Sequence, residues 1–164
     1  MKHIGIYAGS FDPFHAGHNN VLAKAKYIFD EVIVAIGINP TKLLKDNADL
    51  DIEEEVYRRL FQVKTMIPGE LVDYYTTFLV DYVRPRINKD TRVTVIRGLR
   101  DEYDLSYETK QIRYMQDMMP EISVIEILCD KEFSHISSSG IRDIAKFEKN
   151  LDIKVDYASK YLKF

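Results

Sequence analysis

Segments typical of strands and segments typical of helices alternate about five times along this chain of 164 residues. The strand-like segments are short and rich in β-branched residues, which is typical of strands buried in a parallel sheet. They cover residues 3–8, 31–38, 70–75, 92–96 and 122–128. The helix-like segments cover residues 17–29, 52–66, 78–83, 101–118 and 137–148, with a terminal helix expected at 155–162.

This alternation predicts a Rossmann-like α/β fold, a doubly wound sheet of about five parallel strands with helices on both faces. The length suits a single domain over residues 1–164, with a C-terminal helical tail from about residue 150. In such a sheet the ligand lies beyond the carboxyl ends of the strands, at the point where the strand order reverses. The loops after the strands are therefore expected to carry the chemistry.

Composition narrows the class of protein. With 46% hydrophobic and 30% charged residues the chain can bury a core and keep a charged surface, which excludes global disorder. Its single cysteine, Cys129, excludes an internal disulfide framework and favours a reducing compartment, the cytoplasm. A net charge of -3 argues against nonspecific nucleic-acid binding, and no apolar run is long enough for a membrane helix.

The loop after the first strand, residues 9–18, reads GSFDPFHAGH. Gly9 lets the chain leave the strand tightly, and Gly17 permits close approach at a helix start, where free N–H groups can bind phosphate. His15 and His18 are three residues apart, so both can reach one side of that turn. An imidazole there can donate a hydrogen bond to phosphate oxygens that gain charge during transfer. A lone His-x-x-His is more often a surface turn, but the strand before it and the helix after it favour function.

Three further segments place phosphate-binding side chains at the same predicted edge. Arg97 and Arg100 follow the fourth strand, and paired guanidinium groups can bind a triphosphate, although one of them can instead pair with an acidic residue at 101, 102 or 104. Three serines at 137–139 open a helix, which is more than capping alone requires. Lys42 follows the second strand, and a lone lysine there is more often a surface residue.

The loop 9–18 resembles the G-[ST]-F-D-P-x-H/N-x-G-H signature of the nucleotidyltransferase superfamily. Residues 96–108, IRGLRDEYDLSYE, are similar to the R-G-L-R-x-x-x-D-[FL]-x-Y-E stretch of the phosphopantetheine adenylyltransferases. Residues 133–139, FSHISSS, resemble that family's F/W-x-x-I-S-S-S loop. The three motifs stand in family order, and the resemblance covers about residues 2–147. By this resemblance the chain is identified as a member of that family.

The resemblance implies adenylyl transfer from ATP to 4'-phosphopantetheine, which gives dephospho-coenzyme A and pyrophosphate. The acceptor phosphate would attack the α-phosphorus in line, without a covalent enzyme intermediate. Magnesium would arrive with ATP, and no protein-built metal site is expected. The family also implies a homo-oligomer, a hexamer.

The resemblance also assigns residues. The implied catalytic set is Ser10, His18, Lys42 and Arg97, in which Ser10 orients the acceptor phosphate and His18 stabilises the transition state. The implied acceptor contacts are Ser10, Lys42, Leu79 and Arg97. The implied ATP contacts are Ser10, Phe11, His18, Gly98, Leu99, Arg100, Glu108, Phe133, Ser134, His135, Ile136, Ser137, Ser138 and Ser139. One departure concerns the acceptor half, because Met115 stands where the family has an asparagine that contacts pantetheine.

Several alternatives stay open. Nicotinamide-mononucleotide adenylyltransferases share the first motif, and residues 136–142, ISSSGIR, resemble their I-S-[ST]-x-x-I-R loop. Cytidylyltransferases of the same superfamily usually have leucine after the Asp of that motif and fit less well. A nucleotide-binding module that has lost catalysis would keep the fold, but the intact candidate catalytic set weighs against it. An RNA-binding fragment of a synthetase-like fold is disfavoured by the acidic charge.

Overall fold

A computed structural model describes residues 1–151 and 154–164. Its five strands form one parallel sheet in the order β3-β2-β1-β4-β5. They are β1 (Lys2–Gly9), β2 (Glu31–Gly37), β3 (Leu71–Tyr75), β4 (Thr91–Leu99) and β5 (Ser123–Leu128). The predicted five-stranded Rossmann-like sheet is confirmed, and β4 extends beyond its predicted end at residue 96.

Helices cover both faces of the sheet. They are α1 (Ala16–Ala25), α2 (Pro40–Asp46), α3 (Ile52–Met66), α4 (Leu79–Val83), α5 (Glu102–Met118) and α6 (Ser138–Asn150), with short 3₁₀ turns at Arg84–Arg86, Lys131–Phe133 and Ala158–Leu162. The last of these turns takes the place of the terminal helix predicted at 155–162, and positions 152 and 153 of the predicted tail lie outside the described residues. No helix in the described part of the chain is long and apolar enough to cross a membrane.

Helix α1 ends at Ala25 rather than at residue 29 as predicted. The pairing of β2 with β1 places Glu31 opposite Ile4, so the chain must turn out of the helix before it reaches that position. Phe29 lies in the turn and is buried there. It continued the apolar spacing of the helix because it joins the same core, not because it is helical.

Helix α2 lies in a polar segment, 41–51, for which no helix was predicted. Asn39 caps it, because its side-chain oxygen accepts a hydrogen bond from the Lys42 N–H at 3.0 Å. Pro40 occupies the first turn, where its missing N–H is not needed. Asparagine followed by proline is a common helix start, although the segment buries no residue that would have given an apolar pattern.

Alternate residues of the strands face opposite sides of the sheet and build two cores. One core, on the side of α1 and α3, contains Tyr7, Ile96 and the first-loop residue Phe11. The other core, on the side of α4 and α5, contains Ile6 and Met115. Because β1 leads into α1 on one face and the neighbouring β4 leads into α5 on the other, the loops after these strands diverge and leave a cleft.

Candidate active site

A cavity of about 420 Å³ opens at the carboxyl ends of β1 and β4. Three parts of the chain line it: the loop that leads into α1, the end of β4 with the first turns of α5, and the start of α6. The three motifs that are separate in sequence therefore meet in one cavity. We call this cavity the first cavity.

Phe11 fixes the middle of the loop between β1 and α1. Its backbone adopts a left-handed conformation with φ 45°, which costs a residue with a side chain about 1 kcal/mol. Its buried ring meets the rings of Tyr7 and His18 edge-on, with centroid distances of 5.0 and 4.9 Å. Burial of the ring offsets the backbone cost, and the same contact supports one side of the His18 imidazole.

His15 and His18 hold one another at the start of α1. The His15 Nδ1 accepts a hydrogen bond from the His18 backbone N–H at 3.4 Å, and the His18 Nδ1 accepts one from the His15 backbone N–H at 3.2 Å. The two rings stack with centroids 3.6 Å apart. Because each Nδ1 is an acceptor, each neutral ring carries its proton on Nε2. The group that His18 can offer a ligand in the first cavity is therefore an N–H donor.

Both imidazoles are held neutral. Burial, together with the positive charge of Arg100, lowers the pKa of His15 to about 4. Burial also lowers the pKa of His18 well below 6.5, and His15 and Arg100 add to this effect. At neutral pH His18 is thus a hydrogen-bond donor without a formal charge.

The first turns of α1 and α6 both line the first cavity. Ser137 caps α6 by accepting a hydrogen bond from the Gly140 N–H at 3.0 Å, and Ser138 donates its hydroxyl to the Pro13 carbonyl at 2.8 Å. Ser139 lines the cavity beside them. The positive ends of two helix dipoles and the adjacent hydroxyls make this end of the cavity favourable for an anion.

Arg97, near the end of β4, is held by three hydrogen bonds. Its Nε and Nη2 donate to the two carboxylate oxygens of Glu108, each at 2.7 Å, and its Nη1 donates to the Ala8 carbonyl at 2.8 Å. The side chains of Arg97 and Glu108 are only 18% and 11% exposed. Since a guanidinium has five N–H groups, two remain for a ligand.

Arg100 forms the ion pair that the sequence allowed for one of the two arginines. Its Nε and Nη2 each donate to the Asp104 carboxylate at 2.8 Å, and its backbone N–H donates to the same group at 2.9 Å. These hydrogen bonds lower the pKa of Asp104, so the pair stays charged. Both arginines are thus held by carboxylates of α5, and the positions of their guanidinium groups depend on that helix.

Helix α3 anchors the first loop through Asp12. Arg58 donates to the Asp12 carboxylate at 2.9 Å, and Arg59 lies 3.5 Å from it. Glu55 holds both arginines, at 2.8 and 2.6 Å, and their hydrogen bonds lower its pKa to about 2. The loop conformation therefore depends on three charged side chains that lie outside the cavity.

A second cavity, of about 550 Å³, shares Arg97 and Tyr107 with the first. Leu79 and Met115 give it apolar surface, and Gln111 gives it a carboxamide. The arrangement suits two substrates whose reacting ends meet near one guanidinium group.

Comparison with known protein families shows to which family the chain belongs. The model of the cytidylyltransferase-like family matches residues 6–144. The chain belongs to the cytidylyltransferase-like family.

Two curated relatives of this chain show which members of the family it resembles. The phosphopantetheine adenylyltransferase of Alkaliphilus metalliredigens is 32% identical over 145 residues, which cover 88% of this chain and 87% of that protein. The phosphopantetheine adenylyltransferase of Caldanaerobacter subterraneus subsp. tengcongensis is 31% identical over 144 residues, which cover 88% of this chain and 84% of that protein.

A solved structure supports the fold of this cytidylyltransferase-like chain. It is the bifunctional NMN adenylyltransferase/ADP ribose pyrophosphatase of Francisella tularensis, complexed with AMP and a manganese ion. The match has a TM-score of 0.57 at 17% identity and covers 98% of this chain and 44% of that one. At that identity the likeness concerns the fold alone.

Most of the predicted ATP contacts line the first cavity. They are Ser10, Phe11, His18, Gly98, Leu99, Arg100, Glu108, Ser137, Ser138 and Ser139. Four others do not line it, namely Phe133, Ser134, His135 and Ile136. The Ser134 hydroxyl donates to the Lys131 carbonyl at 2.8 Å, and the buried Ile136 offers its carbonyl to Arg100 at 3.4 Å. In this structure these four residues belong to the segment that leads into α6.

The two remaining predicted acceptor contacts lie in different places. Leu79 lines the second cavity. Lys42 is exposed on the first turn of α2, just after β2, and lines neither cavity. Its assigned role therefore stays a prediction. Among the described residues no group of three or more His, Cys, Asp or Glu side chains is placed to hold a metal ion.

Arg142 is a cavity residue that the sequence argument did not single out. It lines the first cavity and donates a hydrogen bond to the Asp12 carbonyl. It lies four residues after Ser138 and therefore on the same face of α6, a spacing that the sequence already contained. Tyr7 and Cys129 also line the cavity, and burial raises the pKa of the Cys129 thiol.

Proposed function

We propose that the protein transfers the adenylyl group of ATP to 4'-phosphopantetheine, releasing pyrophosphate and forming dephospho-coenzyme A. The relatives named phosphopantetheine adenylyltransferase support this acceptor. The observation that carries the proposal is the meeting of the two cavities at Arg97. The first cavity offers helix N-termini, hydroxyls and arginines that suit a polyphosphate. The second cavity offers apolar surface and a carboxamide that suit an acceptor chain.

The reaction is a single in-line displacement. An oxygen of the acceptor phosphate forms a bond to the α-phosphorus of ATP while the bond from that phosphorus to the bridging oxygen breaks, and pyrophosphate leaves with the electron pair. A phosphate monoester is already ionised near neutral pH, so no general base is needed. Catalysis then consists of positioning and of stabilising the charge that develops on the phosphoryl oxygens.

Within this proposal each side chain of the site has a part, which its position supports. The His18 Nε2–H donates to an oxygen of the α-phosphate, where negative charge grows in the transition state. The helix starts that contain His18 and Ser139 hold the β- and γ-phosphates, with Arg142 beside them. The two free N–H groups of Arg97 bind the acceptor phosphate, and Ser10 orients that phosphate. Lys42 belongs to the proposal as a second cation for the acceptor, since it lies at the same edge of the sheet.

Magnesium is part of the proposal as a component of the substrate, MgATP. The ion would bind ATP oxygens and keep most of its waters, as magnesium commonly does in such sites. We expect EDTA to abolish turnover and an excess of Mg²⁺ to restore it. Turnover that persists in EDTA would contradict this part of the proposal.

The decisive experiment is an assay of pyrophosphate release from MgATP with 4'-phosphopantetheine and with nicotinamide mononucleotide, each offered alone. Release with phosphopantetheine is the expected result. Release with the mononucleotide alone would instead establish the second candidate, a nicotinamide-mononucleotide adenylyltransferase. Arg142 favours that candidate, because it places the arginine of the ISSSGIR segment in the first cavity. ATP binding without release from either acceptor would indicate a nucleotide-binding module.

We also propose that the protein acts in the cytoplasm, where ATP is available, and that it assembles as a homo-oligomer, a hexamer by family resemblance. Light scattering of the purified protein tests the assembly. A mass equal to one chain of 19.2 kDa would contradict it. Fluorescent tagging of the full chain tests the compartment.

A further inference from the structure

One face of α5 runs along the second cavity. The residues of α5 that line it are Tyr107, Gln111, Tyr114, Met115, Asp117 and Met118. Most of them recur at intervals of three or four positions, so they form a stripe along the helix. The stripe begins beside Arg97, which lines the same cavity and is bonded to Glu108 of this helix. A ligand bound at Arg97 can therefore extend along α5.

Gln111 supplies a carboxamide to this stripe. No hydrogen bond joins its side chain to another described residue, whereas the neighbouring Gln116 accepts one from Arg113 at 3.2 Å. Gln116 does not line the cavity. A carboxamide has both a donor and an acceptor, so it can form a hydrogen bond with one end of a trans secondary amide, whose N–H and C=O point in opposite directions. Gln111 thus places in the second cavity a carboxamide that is not bonded to another described residue.

Met115 lies one turn further along α5 and cannot do the same. It is buried, it packs with the core between α5 and the sheet, and its thioether is at most a weak acceptor. An acceptor chain would meet Met115 as apolar surface. The amide-recognising position on this face is one turn nearer to Arg97.

The distances agree with the proposed acceptor. Gln111 follows Glu108 by three residues and so lies about 4.5 Å further along the helix axis on the same face. In 4'-phosphopantetheine the first amide carbonyl is five bonds from the phosphorus, a span of about 6 Å at ordinary bond lengths. With the phosphate at Arg97 and the chain laid along α5, this amide comes within reach of the Gln111 side chain.

We propose that Gln111 is a specificity-determining residue that recognises the amide nearest the phosphate of the acceptor. The proposal rests on the proposed function for the identity of that acceptor. The Gln111 side-chain NH₂ donates a hydrogen bond to the carbonyl oxygen of that amide. Removal of the carboxamide leaves the acceptor amide unpaired in a partly closed cavity, which weakens acceptor binding.

Gln111→Met tests this, because methionine keeps the length and helix propensity of glutamine but has no amide. We expect the KM for 4'-phosphopantetheine to rise about tenfold or more while the KM for ATP is unchanged. Gln116→Met is the matched control on the same helix, and we expect neither KM to change. An unchanged KM for phosphopantetheine in Gln111→Met, or an equal rise in both variants, would overturn the proposal.

A binding measurement separates this proposal from the proposed function. In the wild-type protein the ¹⁵N side-chain signal of Gln111, assigned by its loss in Gln111→Met, should shift when 4'-phosphopantetheine is added without ATP. If that signal shifts while no pyrophosphate is released, amide recognition stands and the proposed reaction fails. If pyrophosphate is released and the signal does not move on saturation, the reaction stands and the role of Gln111 is wrong.

Discussion

His15 and His18 each place a ring nitrogen on the other's backbone N–H, and their rings stack 3.6 Å apart. The pair thereby performs two tasks with the same atoms. The hydrogen bonds cap the start of α1, which would otherwise leave N–H groups unsatisfied. They also fix the proton of each neutral ring on Nε2, so that His18 can donate to a phosphate.

Replacement of His18 by alanine removes the donor proposed to act at the α-phosphate. We expect kcat to fall about 10²- to 10³-fold, equivalent to about 3 to 4 kcal/mol of transition-state stabilisation. The Kd for ATP, measured by calorimetry, should stay within a few-fold of the wild-type value. A variant with near-normal kcat would exclude His18 from the chemistry.

The neutral state of the pair leads to a prediction about its titration. In an NMR titration the ring signals of His15 and His18 should show no protonation step between pH 5.5 and pH 8, because burial lowers both pKa values and that of His15 is about 4. An ordinary histidine would titrate near 6.5 in this range. A step near pH 6.5 for either ring would contradict the buried, neutral arrangement.

The lowered pKa of His15 also predicts how acid changes the free energy of unfolding. The unfolded chain protonates His15 below about pH 6.5, whereas in the folded chain the pKa is about 4. Between these values the unfolded state binds more protons, so stability falls as the pH is lowered. For His15 alone the loss from pH 7 to pH 4 is about 2 to 3 kcal/mol.

His15→Asn isolates this contribution, because asparagine is a good N-cap and does not titrate. Urea unfolding of both proteins at pH 7 and pH 4 gives the difference. The wild type should lose about 2 to 3 kcal/mol more than His15→Asn on acidification. Equal losses in the two proteins would show that His15 is not the group responsible.

Gly17→Ala probes the space beside the histidine pair. An alanine Cβ would lie 3.1 Å from His15 Cε1 and 3.2 Å from its Nδ1, so the stacked ring must move. We expect kcat to fall about tenfold, while the higher helix propensity of alanine keeps the change in unfolding free energy within about 1 kcal/mol.

Gly69→Ala is the control for Gly17→Ala. Gly69 has φ 87°, and no atom lies within 4 Å of the point that an alanine Cβ would occupy, so the cost there is one of backbone conformation alone. We expect this variant to lose about 1 kcal/mol of stability and to keep the wild-type kcat. If both variants changed kcat equally, the effect at Gly17 would not come from the ring of His15.

The Arg97–Glu108 pair should behave as a coupled unit in folding. Because both side chains are mostly buried, removing one partner leaves an uncompensated charge, and Glu108→Ala should cost about 3 kcal/mol or more. The double variant Arg97→Ala/Glu108→Ala should lose less than the sum of the single variants, by more than about 1 kcal/mol. Urea unfolding of the four proteins completes this cycle, and additive losses would show that the pair is not coupled.

The sheet was predictable because its strands are short apolar segments that alternate with segments of helical periodicity. This pattern is visible in a single sequence. Helix α2 was not predicted, since its start depends on the Asn39 cap and no apolar face accompanies it. The end of α1 was misplaced for a related reason. Phe29 continues the helical spacing, and its burial in the turn follows from the pairing of β2 with β1.

The candidate site divides in a similar way. Residues next to a strand end or a helix start, such as His18 and Ser139, could be placed by topology. The partners of side chains could not, because the choice of Glu108 by Arg97 depends on the angle at which α5 crosses the sheet. The place of Arg142 in the first cavity could have been inferred from its spacing to Ser138. The place of Gln111 in the second cavity depends on the rotation of α5 against the sheet, which its spacing alone leaves open.

The bonds that join the first loop to α6 have a consequence for the order of folding. Ser138 bonds to the Pro13 carbonyl and Arg142 to the Asp12 carbonyl, across 125 and 130 positions of sequence. Contacts of such long range form late, because the intervening chain must first be brought together. As the chain leaves the ribosome, the loop of the first motif therefore cannot form these hydrogen bonds until α6 has been synthesised. A nascent chain that stops short of α6 would carry the histidine pair without the segment that completes its cavity.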